Sequence, residues 1–146
     1  MCVISVASTG NQRSVIMKNE SVNHPKHYSN GYTTEVECNM FKRVLPLGLS
    51  DAFKYVWRAG IKPDNPESQD LSKALWYLDD IRELYYICDT VSDNMYIRNL
   101  INFLPKSSLP LWKYYTLRCI LEGNVEKAYG YIETQLRKLT AHNNRP

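Results

Sequence analysis

His24 and His27 stand three positions apart in the run Val22-Asn23-His24-Pro25-Lys26-His27-Tyr28, with Lys26 between them. An imidazole changes charge near neutral pH, so either ring can act as general acid or base, or donate a hydrogen bond to a phosphoryl oxygen. The competing role is a hydrogen bond that holds the loop together, which the same spacing serves equally well. As metal ligands the two histidines lack a clear complement, since only Cys38, the distant His142 and scattered carboxylates are on offer.

Asp51, Lys54, Tyr55 and Arg58 fall at i, i+3, i+4 and i+7, the spacing that places side chains on one side of a helix. Two cations a turn apart, just ahead of Gly60 and followed by Lys62, can bracket a phosphate, arginine as a two-pronged fork and lysine as a point charge. An exposed ion-pair face, with Asp51 paired to Lys54, is the alternative. Asp70, Lys73, Tyr77 and Asp80 draw a second polar line with Trp76 beside it, for which the plainer account is a solvated helix face.

These residues need elements to position them. Pro25 disfavours helix at His24, and Asn30-Gly31 is a turn pair, so the histidine segment is irregular. A first helix is expected from Glu35 to about Val44, on the spacing of Val36, Met40, Phe41 and Val44, ending at Leu45-Pro46-Leu47-Gly48. A second starts from the N-cap Ser50 and runs to Ala59, with Gly60 just beyond. After the Pro- and Asn-containing loop Ile61 to Gln69, Ser68 or Asp70 caps a long third helix from Leu71 to about Asp89. Its core stripe is Leu71, Ala74, Leu75, Leu78, Ile81 or the stem of Arg82, and Tyr85. Three more helices follow, at about Asp93 to Leu104, Leu109 to Glu122 and Val125 to Thr140, with a frayed tail from Ala141.

The expected fold is therefore mainly α, a small bundle of about five to six helices with an irregular His/Lys/Tyr loop at its N-terminal side. It divides into a flexible arm over residues 1–21, a core over 22–89 and a helical extension over 90–146.

Composition narrows the function classes. A net charge of +3 over 146 residues is too small for a duplex nucleic-acid partner, yet it suits a single anionic ligand. No apolar run approaches the roughly 18 residues of a membrane span, so no membrane partner is expected. Cys2, Cys38, Cys88 and Cys119 lie far apart, form no C-x-x-C pair and follow no secretory signal, which points to free thiols and a cytoplasmic protein. The six glycines fit neither a P-loop nor a dinucleotide fingerprint, there is no G-x-S-x-G elbow, and no dense carboxylate helix stands ready for several magnesium ions. Phosphate chemistry here rests on side chains and helix ends. Trp112, Tyr114, Tyr115 and Leu117 on a short helix leave apolar surface, which leads us to expect a homo-oligomer.

Four ordered motifs carry a resemblance. They are Val22 to Tyr28, Glu35-Val36, Ala52-Phe53-Lys54-Tyr55-Val56-Trp57-Arg58-Ala59-Gly60, and Asp70-Leu71-Ser72-Lys73-Ala74-Leu75-Trp76-Tyr77-Leu78. Over Val22 to about Tyr86 the chain resembles a small bacteriophage and prophage family called SaV-like, a domain of unknown function. That family is similar to the core of the nucleotide kinase of T7-type phages, which has no P-loop. The chain departs from the usual pattern at Ser50-Asp51, where Gly-Asn is commoner, and after Lys62, where Pro63 replaces a longer basic run.

The resemblance implies a cytoplasmic protein of the bacterial host cell, phage- or prophage-encoded. Its implied reaction is phosphoryl transfer from a nucleoside triphosphate to a (deoxy)nucleoside monophosphate. The resemblance implies a site of His27, Tyr28, Lys54, Tyr55, Arg58, Asp70, Lys73 and Tyr77; with His24 and Lys62 added from the residue reading above, His27, Lys54 and Arg58 are the expected catalytic residues, and His24, Tyr28, Tyr55, Lys62, Asp70, Lys73 and Tyr77 the substrate-binding ones. No tightly bound cofactor is expected, only magnesium accompanying the triphosphate. The rival expectations are a noncatalytic nucleotide-binding or sequestering phage protein, and a phage factor that binds a host protein through its Tyr-rich C-terminal helices.

Overall fold

The computed structural model describes residues 36–145, an all-helical arrangement with no strand among them. The elements are α1 (Cys38–Lys42), α2 (Leu49–Arg58), α3 (Glu67–Arg82), α4 (Tyr85–Ser92), α5 (Met95–Asn99), a 3-10 turn over Leu100–Phe103, α6 (Leu111–Leu121) and α7 (Val125–Asn143). The expected mainly α fold is found, with seven α-helices among the described residues rather than five or six.

α2 owes its place to a two-sided sequence. Leu49, Ala52, Phe53, Val56 and Trp57 are buried, while Asp51, Lys54 and Tyr55 are only half covered. Phe41 of α1 meets Phe53 and Trp57 with ring centroids 5.1 and 5.7 Å apart, so three fully buried aromatic rings nail α1 onto α2. Met40, expected on that stripe, is 39% exposed.

α3 lays Leu71, Ala74, Leu78 and Ile81 into the same core, with Leu75 partly covered, which matches the expected stripe for these residues. α6 packs on α2, and α7 packs on both α3 and α6. One continuous apolar cluster thus runs from Cys38 to Ile132, and the C-terminal helices share the core of α2 and α3. Arg82 of α3 donates to Glu126 of α7 (Nη2 to Oε2, 3.3 Å) and lies over the Tyr129 ring at 4.1 Å.

Several expected boundaries shift for physical reasons. α1 is only five residues long: its N-cap Glu37 is extended (φ −114°, ψ 148°) and Val36 lies outside the helix. Ser50 is not the N-cap of α2, because that position falls to Gly48, whose φ of 93° is one that glycine adopts without strain. A Cβ at Gly48 would also lie 2.5 Å from the Ile81 Cδ1, so α2 enters the fold directly against α3. α3 begins at Glu67 after Pro66 and has no side-chain cap, so Ser68 and Asp70 lie inside the helix. The single helix expected to reach Asp89 instead breaks at Leu84 (φ −101°, ψ 63°), and α4 begins at Tyr85.

Farther on, the helix expected at about Asp93 to Leu104 is α5 plus a 3-10 turn, started by Asn94, whose side chain accepts from the amides of Tyr96 and Ile97. α7 continues through Asn143, past the expected end at Thr140, so Ala141 and His142 are helical. No helix among the described residues is long and apolar enough to cross a membrane.

Candidate functional site

The polar sides of α2 and α3 face one another and bring together most of the expected residues. Arg58, near the end of α2, is turned inward to Asp70 on the first turns of α3. Its Nε donates to both carboxylate oxygens at 3.2 Å and its Nη2 donates to Oδ1 at 2.8 Å. Asp70 is fully buried and Arg58 is 8% exposed. Taking two charges out of water is tolerated when they pair closely and hydrogen-bond one another, as this fork does.

Above that pair lies an aromatic and cationic layer. Tyr55 stacks on Tyr77 with ring centroids 5.7 Å apart and planes inclined by 18°. Three cations approach the Tyr55 ring, with Lys54 Nζ at 4.4 Å, Arg58 Cζ at 4.6 Å and Lys73 Nζ at 5.6 Å from its centroid. Ring quadrupole and cation attract one another, each such contact being worth about 0.5 to 1 kcal/mol where water has access. Trp76 meets Tyr77 edge-on at 5.0 Å while remaining 65% exposed. The layer therefore offers flat apolar faces next to positive charge.

Lys54 also pairs with Asp51 at 2.8 Å across one turn, the partner anticipated for an ion-pair face. Asp70 is not a solvated residue of its helix, whereas Asp80 on the same line is exposed. Lys62 sits half-buried in the turn after Gly60, where its amide and that of Ile61 donate to the Arg58 carbonyl at 3.2 and 2.9 Å. His24, His27 and Tyr28 lie outside the described residues.

One side chain here escaped the sequence reading. Lys113 of α6 is 2% exposed and donates from Nζ to the carbonyls of Trp57 (3.1 Å) and Ala59 (2.6 Å). Burial pushes its ammonium down to about 8, opposed by the carboxylates of Glu67 and Asp70. Glu67 in turn accepts from Gln135 of α7 at 3.0 Å. Lys113 stands in sequence among Trp112, Tyr114 and Tyr115, and the signal available was a cation set among aromatic residues on a helix whose other cation, Arg118, comes in its last turn.

Cys38 borders the same region from α1. Burial pushes its thiol up to about 12, although Lys42, Lys54 and Arg58 pull the other way. Cys38, Cys88 and Cys119 are free thiols. Among the described residues no group of three or more His, Cys, Asp or Glu side chains is placed to hold a metal ion.

Of the four α6 residues from which self-association is expected, Tyr114 and Leu117 belong to the core, Trp112 is half-buried and Tyr115 is 39% exposed.

An all-helical domain with a cationic and aromatic layer between two adjacent helices is what fold and site define. Residues 22–79 match the model of the family described as protein of unknown function (DUF3310), a stretch that includes α1, α2 and most of α3. No curated protein and no solved structure matches the chain.

Proposed function

We propose that this protein is a phage-type nucleotide kinase-like phosphotransferase without a P-loop, working in the cytoplasm of a bacterial host and moving a phosphoryl group from a nucleoside triphosphate to a (deoxy)nucleoside monophosphate. The observation that carries the reading is the gathering of Lys54, Arg58 and Lys73 around the Tyr55 ring, itself stacked on Tyr77. A nucleotide has the complementary anatomy, a flat base joined to a polyanion. Lys54 and Lys73 meet the phosphates, and the tyrosine pair offers a face for the base.

In the reaction an oxygen of the acceptor monophosphate attacks the γ-phosphorus. The new P–O bond forms as the bond to the bridging oxygen of the donor breaks, leaving two diphosphates. Such transfer depends on placement and on compensating charge more than on covalent chemistry by the protein. His27 supplies an acid, base or hydrogen-bond donor, and magnesium accompanies the donor.

The test is incubation of the pure protein with each of the four deoxynucleoside monophosphates, ATP and magnesium, with the products separated by charge. Nucleoside diphosphates should appear in step with ADP. Their absence with every acceptor would overturn the kinase reading.

One observation favours a second reading, a noncatalytic nucleotide binder. The Arg58 fork is committed to Asp70, which neutralises its charge where it stands. A parent protein that binds nucleotide without turnover, and a His27→Ala variant that binds as tightly, would establish that alternative.

A further inference from the structure

We infer that Lys113, which lies on α6 outside the DUF3310 match, is a positioning residue that fixes Arg58 and with it the cationic face; this rests on the nucleotide-site reading.

Arg58 stands between the two carbonyls that Lys113 grips. A helix C-terminus presents carbonyls with no partner in the helix and a partial negative charge, and it needs donors from elsewhere. At the end of α2 the Arg58 carbonyl takes the amides of Ile61 and Lys62, while those of Trp57 and Ala59 take the Lys113 ammonium. Ala59 leaves the helical region (φ −54°, ψ 125°) and Gly60 turns the chain with a φ of 77°. Lys113 therefore holds the backbone on both sides of Arg58 at the point where the helix ends and would otherwise fray.

That grip has a direct effect on the site. Arg58 must aim at Asp70 and at the Tyr55 ring simultaneously. A backbone shift of a few tenths of an ångström at the end of α2 would loosen the fork and tilt Tyr55, to which Lys54 and Lys73 are both referenced. The helix that supplies Lys113 is held in turn through α7, where Gln135 donates to Glu67 next to the same turn. The C-terminal helices thereby complete a site whose visible residues all come from α2 and α3.

The experiment measures nucleotide affinity at 10 °C, far below unfolding, for the full-length parent, Lys113→Met and Lys113→Gln, with ATP and dTMP as probes. The Arg58 Nε–H resonance is recorded without any nucleotide. Lys113→Met should weaken binding by about tenfold or more and shift or broaden the Arg58 Nε–H signal. Lys113→Gln, which keeps a donor, should lie between it and the parent. A Lys113→Met protein that is folded, binds like the parent and leaves the Arg58 signal unmoved overturns the inference, as does a Lys113→Gln protein with both readouts unchanged should the methionine variant not fold. If the parent itself binds neither probe, the nucleotide reading fails, while the Arg58 signal still decides whether Lys113 positions that residue.

Discussion

Arg58 and Asp70, twelve positions apart and on different helices, form a side-on fork in which one guanidinium satisfies both oxygens of a carboxylate sealed from water. The pair ties the end of α2 to the start of α3 and sets the floor beneath the Tyr55–Tyr77 stack.

Removing one member should leave a buried charge without compensation. Asp70→Ala is expected to cost about 3 to 5 kcal/mol in urea unfolding. Asp51→Ala, which breaks the part-exposed pair with Lys54, should cost under about 1 kcal/mol. Replacing both partners, as Arg58→Met with Asp70→Leu, should recover much of the loss. Equal costs for Asp70→Ala and Asp51→Ala would contradict the assignment.

Gly48 and Gly130 make an opposed pair of tests. Gly48→Ala forces a side chain into a φ of 93° and against Ile81, and should destabilise by at least about 1 kcal/mol. Gly130 lies within α7 with open space around its Cα, so Gly130→Ala should stabilise by about 0.5 to 1 kcal/mol. Thermal or urea unfolding of the two variants gives the signs directly, and a shared sign would be inconsistent with this backbone.

Lys113 gives a pH signature. Its ammonium falls from the usual 10.5 to about 8 on folding, chiefly through burial, with Glu67 and Asp70 resisting. Between those values the unfolded chain binds the extra proton, so the contribution of Lys113 to stability rises with pH across that window and is least favourable below it. The stability difference between the parent and Lys113→Met should therefore grow in favour of the parent from about pH 7 to about pH 10. A difference that stays flat or shrinks would show that the group does not titrate in this way.

Thiol chemistry reports on the core beside the site. Cys38 is buried with its thiol pushed up to about 12, whereas Cys88 is only partly covered and more weakly raised. Iodoacetamide at pH 8 followed by peptide mapping should modify Cys88 well before Cys38, which reacts only at the rate of unfolding. Comparable native rates at the two would contradict the placement of Cys38.

Much of the α2 face was legible because helical spacing is local. Asp51, Lys54, Tyr55 and Arg58 at i, i+3, i+4 and i+7 do share a side, and the Asp51–Lys54 pair follows from the same rule. The core stripe of α3 was legible for the same reason.

What lay beyond local spacing was not. Whether Asp70 meets Arg58 depends on how two helices pack, and a carboxylate near a helix start equally suggests a cap or a solvated position. The break at Leu84 carries no proline or glycine, so no local breaker in the sequence marks it. Ser50 looked like the N-cap because it is a good one, yet Gly48 wins by reaching a backbone region closed to serine and by fitting beneath Ile81. Lys113 sits 55 positions from Arg58, and no periodicity connects them.

The most direct test of the central claim is a titration of isotope-labelled full-length protein with ATP and with dTMP, followed by NMR through the side-chain signals of Lys54, Lys73, Tyr55 and Tyr77. The account predicts saturable shifts concentrated on those four side chains and on the Arg58 Nε–H. Saturable shifts that map elsewhere, or no shifts at millimolar nucleotide, would contradict it.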